Sequence, residues 1–192
     1  MTRLKDGMLL YHGSYTVVEN IDMRRCADAK DFGKGFYLTH SFPQAKNFIR
    51  SSLRKAMLID AVDRSQYFGF VSSFRYHARG EGIKIYEFPT TSKEWLWFIA
   101  LNRKKELAKR LLPRLSSDLF KADIVTGKIA NDNTNTTIVA YLSGLYGAID
   151  SDEAVNMAIK RLIPEKLENQ YCFLTERSVR SLCFQEARKY VL

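Results

Sequence analysis

A short buried strand over residues 35–39 is predicted by the stretch Gly33-Lys34-Gly35-Phe36-Tyr37-Leu38-Thr39. A second strand, over residues 8–12, is predicted by Met8-Leu9-Leu10-Tyr11-His12, which continues into Gly13 and Ser14. Glycine beside each strand leaves the backbone open to close approach by a ligand. If the two strands are neighbours, His12 can bond a hydroxyl and Tyr37 can stack on a ring. The two stretches together therefore predict a slot for a flat aromatic ring.

The remaining pattern mixes strands and helices without regular βαβ alternation, which favours the α+β class. Ser41 as N-cap, with Pro43 in the first turn, predicts a helix to about Leu58 that turns Ala45, Phe48, Ile49 and Leu53 to the core. Further strands are predicted over residues 67–76, 83–88, 122–129, 170–174 and 182–184. Further helices are predicted over 92–101, 102–111, 138–145, 151–163 (ending before Pro164) and 176–179, with a polar loop at 131–135.

Length and composition indicate one globular domain over residues 1–192. Hydrophobic residues make up 46% and charged residues 27%, which are ordinary values. No apolar run approaches the length of a membrane span, and the first residues lack the apolar stretch of a signal peptide. The three cysteines, Cys26, Cys172 and Cys183, have no metal-ligand spacing. We therefore expect a cytoplasmic protein with no membrane partner and no metal.

The formal net charge is +9, from 30 basic and 21 acidic residues. Such an excess suits a polyanionic partner, either nucleic acid or an acidic protein. The basic residues concentrate in Arg103-Lys104-Lys105, Lys109-Arg110 and Arg114. A solvated helix face explains this concentration equally well, and no known nucleic-acid-binding motif accompanies it.

The two glycine-flanked stretches, taken with Asn169-Gln170-Tyr171, resemble the ADP-ribosyltransferases of the diphtheria-toxin and poly(ADP-ribose) polymerase type. Those enzymes carry a histidine in Tyr-His-Gly-Thr, a tyrosine in Gly-Lys-Gly-Phe/Ile-Tyr, and a glutamate in a late strand often written Asn-Glu-Tyr. The chain also resembles an uncharacterised bacterial family assigned to that superfamily. The resemblance covers nearly the full length. It implies split mixed or antiparallel β-sheets flanked by helices, with a cleft for NAD+ between the sheets.

The same resemblance implies a role for each matching residue. His12 would bind the adenosine ribose, the Gly13 backbone would bind the nicotinamide carboxamide, and Tyr37 would pack on the nicotinamide ring. A second aromatic residue normally follows on the next helix, and Phe48 is eleven positions after Tyr37. A core position on that helix is an equally good interpretation of Phe48. The implied NAD+-binding residues are His12, Gly13, Ser14, Gly35, Tyr37 and Phe48.

The third signature position departs from the family, because Gln170 stands where a glutamate is usual. The implied catalytic set is therefore His12, Tyr37 and Gln170. Cleavage of the nicotinamide–ribose bond passes through an oxocarbenium-like state that a carboxylate stabilises, and glutamine carries no charge. Three alternatives follow. Gln170 orients NAD+ while the acceptor supplies a strong nucleophile, Glu168 on the same strand face supplies the carboxylate, or NAD+ is bound without transfer.

The expected function is mono-ADP-ribosyl transfer, a glycosyl transfer, from NAD+ to a protein or nucleic-acid acceptor. A toxin paired with an antitoxin protein is one form that this activity would take. The alternatives are an NAD+-binding pseudoenzyme and a basic nucleic-acid-binding protein.

Overall fold

Two β-sheets, each covered by helix on its outer face, make up the fold. The computed structural model describes residues 2–28, 30–78, 82–129, 132–163 and 167–192. The strands in this part of the chain are β1 (Leu9–Ser14), β2 (Phe36–Leu38), β3 (Phe68–Tyr76), β4 (Ile85–Glu87), β5 (Ile124–Lys128), β6 (Asn169–Phe173) and β7 (Leu182–Val191). The α-helices are α1 (Phe42–Leu58), α2 (Lys93–Arg103), α3 (Ala108–Leu111), α4 (Asp132–Leu142), α5 (Asp152–Leu162) and α6 (Glu176–Val179). The α+β class is confirmed.

The first sheet is antiparallel and has the strand order β1-β3-β7. The second sheet has the order β2-β6-β5-β4 and is mixed, because β4 and β5 run parallel while the other pairs are antiparallel. Sequence-distant strands are therefore neighbours in both sheets. The predicted mixture of antiparallel and mixed sheets is confirmed.

The inner faces of the two sheets share one hydrophobic core. Leu10 and Phe74 of the first sheet belong to the same buried cluster as Phe36 and Phe173 of the second. The rings of Phe36 and Phe74 meet edge to face at 5.5 Å between centroids. Edge-to-face contact adds to the stabilisation that burial alone provides. The sheets are therefore held face to face by aromatic packing.

Helix α1 covers the outer face of the first sheet. The Ser41 hydroxyl accepts a hydrogen bond from the Gln44 N–H at 3.4 Å, which caps the helix where the sequence predicts. Ala45 and Ile49 pack against Val71 of β3. Phe48, however, is 41% exposed, so its predicted core position is wrong. The reason is angular, since Phe48 lies about 100° around the helix from the buried Ile49.

Helices α2 and α5 pack on the outer face of the second sheet. Trp95, Ile99 and Val155 from these helices join Val125 and Cys172 of β5 and β6 in a second buried cluster. Ser92 caps α2 by accepting a hydrogen bond from the Trp95 N–H at 3.2 Å. Among the described residues, no helix combines the length and the apolar character needed to cross a bilayer.

Three predicted elements are corrected. The helix predicted over 102–111 is broken, because α2 ends at Arg103, Lys104 is extended, and a 3-10 turn (Lys105–Leu107) precedes α3. The polar loop predicted at 131–135 is the start of α4 from Asp132 onward, while Asn131 lies outside the described residues. The last strand, predicted at 182–184, continues to Val191. α5 ends at Leu162, and Pro164 is likewise outside the described residues.

Candidate functional site

Strands β1 and β2 meet at a single point and then separate. The Tyr11 N–H donates to the Thr39 carbonyl at 2.7 Å, and the Thr39 N–H donates back to the Tyr11 carbonyl at 3.0 Å. One residue further along β1, His12 Nδ1 lies 2.9 Å from the Tyr37 carbonyl oxygen. The two sequence stretches are therefore neighbours, and the backbone pairing of β1 with the β2 segment ends at Tyr11.

The peptide groups of Gly13 face the side of β1 on which Tyr11 pairs with Thr39. Met8, which immediately precedes β1, accepts a backbone hydrogen bond from the Tyr76 N–H of β3. The even-numbered residues of β1 therefore form the backbone hydrogen bonds with β3. Odd-numbered residues then face β2, as Tyr11 does, because backbone groups of an antiparallel strand alternate in direction. No other described residue forms a hydrogen bond with the Gly13 N–H or C=O on this side. One backbone donor and one backbone acceptor are therefore presented side by side.

His12 is held as a neutral ring. Its ring packs on Phe36 with centroids 4.6 Å apart. Burial lowers the pKa of His12, the Tyr37 carbonyl opposes this shift, and the charge of Lys30 adds to it. Because a carbonyl only accepts, Nδ1 carries the proton and Nε2 keeps its lone pair. Nε2 is thus an acceptor suited to a ligand hydroxyl.

The Tyr37 ring is fixed by its hydroxyl. This hydroxyl donates to the Gly33 carbonyl at 2.7 Å and accepts from the Phe32 N–H at 2.9 Å. Burial, together with the neighbouring Cys172 thiol, raises the pKa of Tyr37 well above its usual value. The side chain therefore stays an uncharged phenol, and its ring is held in one orientation by the loop before β2.

Protein atoms occupy the space that a side chain at Gly13 or Gly35 would need. A methyl group on Gly13 would collide with the Ala45 carbonyl of α1. A methyl group on Gly35 would lie 2.5 Å from Cys172 Sγ and 2.8 Å from the Phe173 carbonyl oxygen. Close packing of α1 and of β6, rather than approach by a ligand, thus accounts for both glycines. Ser14 is buried, and its hydroxyl accepts from the Thr16 N–H at 3.5 Å, so it shapes the turn after β1.

Phe48 stands next to Gly13. Its Cβ would be 3.2 Å from a methyl group built on Gly13, and its ring is partly exposed. Tyr37 adjoins the same His12–Gly13 pair from the second sheet through the His12 hydrogen bond. The Phe48 side chain therefore adjoins Gly13 from α1, whereas Tyr37 contacts His12 through its backbone carbonyl and its ring packs toward the Trp95 cluster on the outer face of the second sheet.

Gln170 lies on the same face of the second sheet as Tyr37. Tyr37 pairs with Cys172 of β6, and Gln170 is two residues from Cys172. The Gln170 side chain is 4% exposed, and its amide nitrogen is 3.5 Å from the Lys128 carbonyl, a long hydrogen bond. Glu168 is exposed and precedes β6. The buried position on this face thus holds an amide, and the nearby carboxylate lies at the surface.

Two lysines were not among the residues that the sequence indicates: Lys30, whose charge acts on His12, and Lys55, which adjoins Lys30. Burial and the nearby Lys55 ammonium lower the pKa of Lys30, whose charge also acts on His12. Two cations placed close together create a positive potential that attracts an anion. The residues come from the loop before β2 and from α1, and no sequence pattern links them. In the part of the chain that the structure describes, no cluster of metal-ligand type is present.

Comparison with known proteins places the chain in a family. No curated protein and no solved structure matches it. Residues 8–184, which include β1 and extend into β7, match DUF3990, a family described as a protein of unknown function. Because this match covers most of the 192 residues, the chain belongs to the DUF3990 family.

Proposed function

We propose that the protein is a mono-ADP-ribosyltransferase that acts in the cytoplasm and moves ADP-ribose from NAD+ to a macromolecular acceptor. The free edge at Gly13 carries the proposal. A carboxamide offers an N–H donor beside a C=O acceptor, and the Gly13 C=O and N–H complement them. Nicotinamide bound at this edge would lie beside the Phe48 side chain, where ring stacking would add to its binding, and the family resemblance gives Tyr37 the opposite face of the nicotinamide ring.

The other parts of NAD+ find complementary groups nearby. The His12 Nε2 atom would accept a hydrogen bond from a ribose hydroxyl, since Nδ1–H donates to the Tyr37 carbonyl. The ammonium groups of Lys30 and Lys55 suit the diphosphate, because charge-assisted hydrogen bonds to phosphate are strong.

The transfer breaks the bond between the nicotinamide nitrogen and the ribose C1′. Nicotinamide leaves with the bonding electrons, the acceptor nucleophile bonds to C1′, and the acceptor releases a proton. Gln170 can orient the ribose 2′-hydroxyl by hydrogen bonding but cannot neutralise the developing cation. Loss of one such electrostatic contact typically lowers a rate by about 10²–10³. Transfer is therefore slow unless the acceptor is a strong nucleophile.

The direct test is incubation of the protein with adenylate-labelled NAD+ and cell lysate. Label should enter a macromolecular fraction, and the variants His12→Ala and Tyr37→Ala should lose it. The matched controls are His77→Ala and Tyr67→Ala, which change the same residue types away from Gly13 and should retain transfer. No incorporation of label by the unchanged protein would refute the proposal.

NAD+ binding without transfer is the second candidate, and the neutral, buried Gln170 favours it. Calorimetry with NAD+ separates the two, because a pseudoenzyme binds NAD+ and neither releases nicotinamide nor labels an acceptor. The variant Gln170→Glu should then gain activity.

For a toxin of a toxin–antitoxin pair, expression of the protein should arrest growth, and expression of the Tyr37→Ala variant should not.

A further inference from the structure

Helix α1 is a cationic surface without acidic partners. Its residues, 42–58, include no aspartate or glutamate. Its four cations, Lys46, Arg50, Arg54 and Lys55, are all exposed. Within the described ranges, none of the four forms an ion pair. The positive charge of α1 is therefore available to a partner.

The basic run at 103–114, by contrast, is largely committed to the fold. Arg103 pairs with Asp31 at 2.7 Å, and the Lys104 ammonium donates to the Leu142 carbonyl at 3.1 Å. Arg110 and Arg114 both pair with Asp150. Because most of its cations already have partners, the basic run at 103–114 is a poorer binding site for a polyanion than α1.

The α1 cations have a regular spacing. Lys46, Arg50 and Arg54 are four residues apart, which puts them in one row with steps of about 6 Å. The row begins on the β7 side, where the Lys46 ammonium lies 5.1 Å from the centre of the Tyr190 ring. Phe48 and Lys55 lie on the opposite flank, towards Gly13 and Lys30. One helix thus presents a row of charges on one side and an exposed ring beside the candidate NAD+ site on the other.

We propose that α1 docks the acceptor and that this acceptor is a single-stranded nucleic acid, an inference that rests on the proposed function. Backbone phosphates would bind along the Lys46–Arg50–Arg54 row. A helix is about 10–12 Å across, so a strand that follows this row and then turns across α1 brings its next nucleotides to the opposite flank. A base stacks on the exposed Phe48 ring, on the face turned away from nicotinamide, only when that base is unpaired, which selects a single strand over a duplex.

The test measures fluorescence anisotropy of labelled single-stranded RNA and DNA oligonucleotides, without NAD+. Three phosphate contacts on a single strand give a salt slope of about −2, or about 20-fold weaker binding between 50 and 200 mM salt. The variant Lys46→Gln/Arg50→Gln/Arg54→Gln should remove most of this slope. The control Lys105→Gln/Lys109→Gln/Lys160→Gln removes the same charge from exposed positions elsewhere and should keep it.

Three outcomes overturn the docking proposal. The first is an equal loss of binding in both triple variants, and the second is tighter binding of a duplex than of a single strand. The third is tighter binding of polyglutamate than of the oligonucleotides, which would indicate that α1 docks an acidic protein. Labelled NAD+ then separates the two proposals. Labelling of lysate protein without oligonucleotide binding refutes the docking site alone, whereas oligonucleotide binding without any transfer of label refutes the transferase alone.

Discussion

At the scale of single residues, His12 links stability to pH. Its folded-state pKa is below the ordinary value of about 6.5, because burial disfavours the charged ring. The unfolded chain then binds more protons below pH 6.5, so the free energy of unfolding falls as the pH is lowered, by at most about 1.4 kcal/mol per unit. We expect urea unfolding to show this loss between pH 7.5 and 5.5, and His12→Gln to reduce it.

Glutamine suits this comparison because its amide can still donate to the Tyr37 carbonyl. The control is His77→Gln, at a half-buried histidine 4.0 Å from the exposed Asp6, and it should leave most of the pH dependence in place. The ordinary pKa values of carboxyl groups, about 4, lie below this pH window. An unchanged pH dependence in His12→Gln would contradict the assignment of a buried, neutral ring.

Gly13 offers a second prediction at this scale. The Gly13→Ala methyl group collides with the Ala45 carbonyl, which belongs to the backbone of α1 and cannot rotate away. Displacing α1 from β1 should lower the free energy of unfolding by about 3 kcal/mol or more, in the range of severe overpacking. In the control Gly7→Ala, the added methyl group meets no atom of the described residues within 4 Å. Its only cost is the positive φ of 75°, which should lower the free energy of unfolding by about 1–2 kcal/mol. Denaturant midpoints should rank Gly13→Ala well below Gly7→Ala.

At the scale of elements, Asp123 joins the segments around β5. Its carboxylate accepts from the Lys84 N–H and the Thr175 hydroxyl at 2.9 Å each, and it pairs with Arg177 of α6. Burial alone would raise the pKa of Asp123, but these hydrogen bonds outweigh burial and hold the pKa below its usual value. The carboxylate therefore stabilises the fold above about pH 4, and this contribution is lost as the pH falls.

Asp123→Asn should consequently lower the free energy of unfolding by about 2–3 kcal/mol at pH 7, the range for hydrogen bonds to a charged group. Asp118→Asn removes an exposed pair with Lys121 and should change it by less than about 1 kcal/mol. Urea midpoints at pH 7 and pH 3.5 provide the measurement. The deficit of Asp123→Asn should shrink at the lower pH, and a deficit independent of pH would rule out the charge as its source.

Elements with an apolar pattern and a cap were predictable, and those whose polar residues face solvent were not. α1 carries Ser41, Pro43 and a buried stripe, and each of these signals is local. Among the described strands, β7 is an edge strand that pairs only with β3, and most of its ten residues are exposed. Because little of it is buried, its last seven residues lack the alternation of apolar and polar residues that marks a strand. α4 begins in a polar segment, Asp132-Asn133-Thr134-Asn135, whose composition is typical of a turn.

The candidate site shows the same limit. The sequence pattern predicts the strands that carry His12, Gly13 and Tyr37, and the bridge between Tyr11 and Thr39 makes those strands neighbours. The approach of Lys30 to Lys55 joins a loop to a helix through tertiary packing alone. Likewise, a count of basic residues cannot reveal that Asp150 neutralises Arg110 and Arg114. Charge in a sequence locates a partner surface only after internal pairing is known.

At the scale of the whole molecule, the site exists only while the two sheets stay together. His12 belongs to the first sheet and Tyr37 to the second, and the Phe36 ring packs against both His12 and Phe74. Phe36→Ala should therefore loosen both sheets at once, with a loss of about 3–5 kcal/mol. The exposed Phe120 provides the matched control, since Phe120→Ala should change stability by less than about 1 kcal/mol.

The two tryptophans make the cooperation of the sheets measurable. Trp95 and Trp97 are both in α2, on the outer face of the second sheet, so their fluorescence reports that half alone, whereas far-UV circular dichroism reports both sheets. Because the inner core is shared, urea unfolding of the unchanged protein should give coincident transitions by the two probes. In Phe36→Ala both midpoints should fall together. Separate midpoints in the unchanged protein would mean that the sheets unfold independently, and a site spanning them would then lose its geometry before the fold is lost.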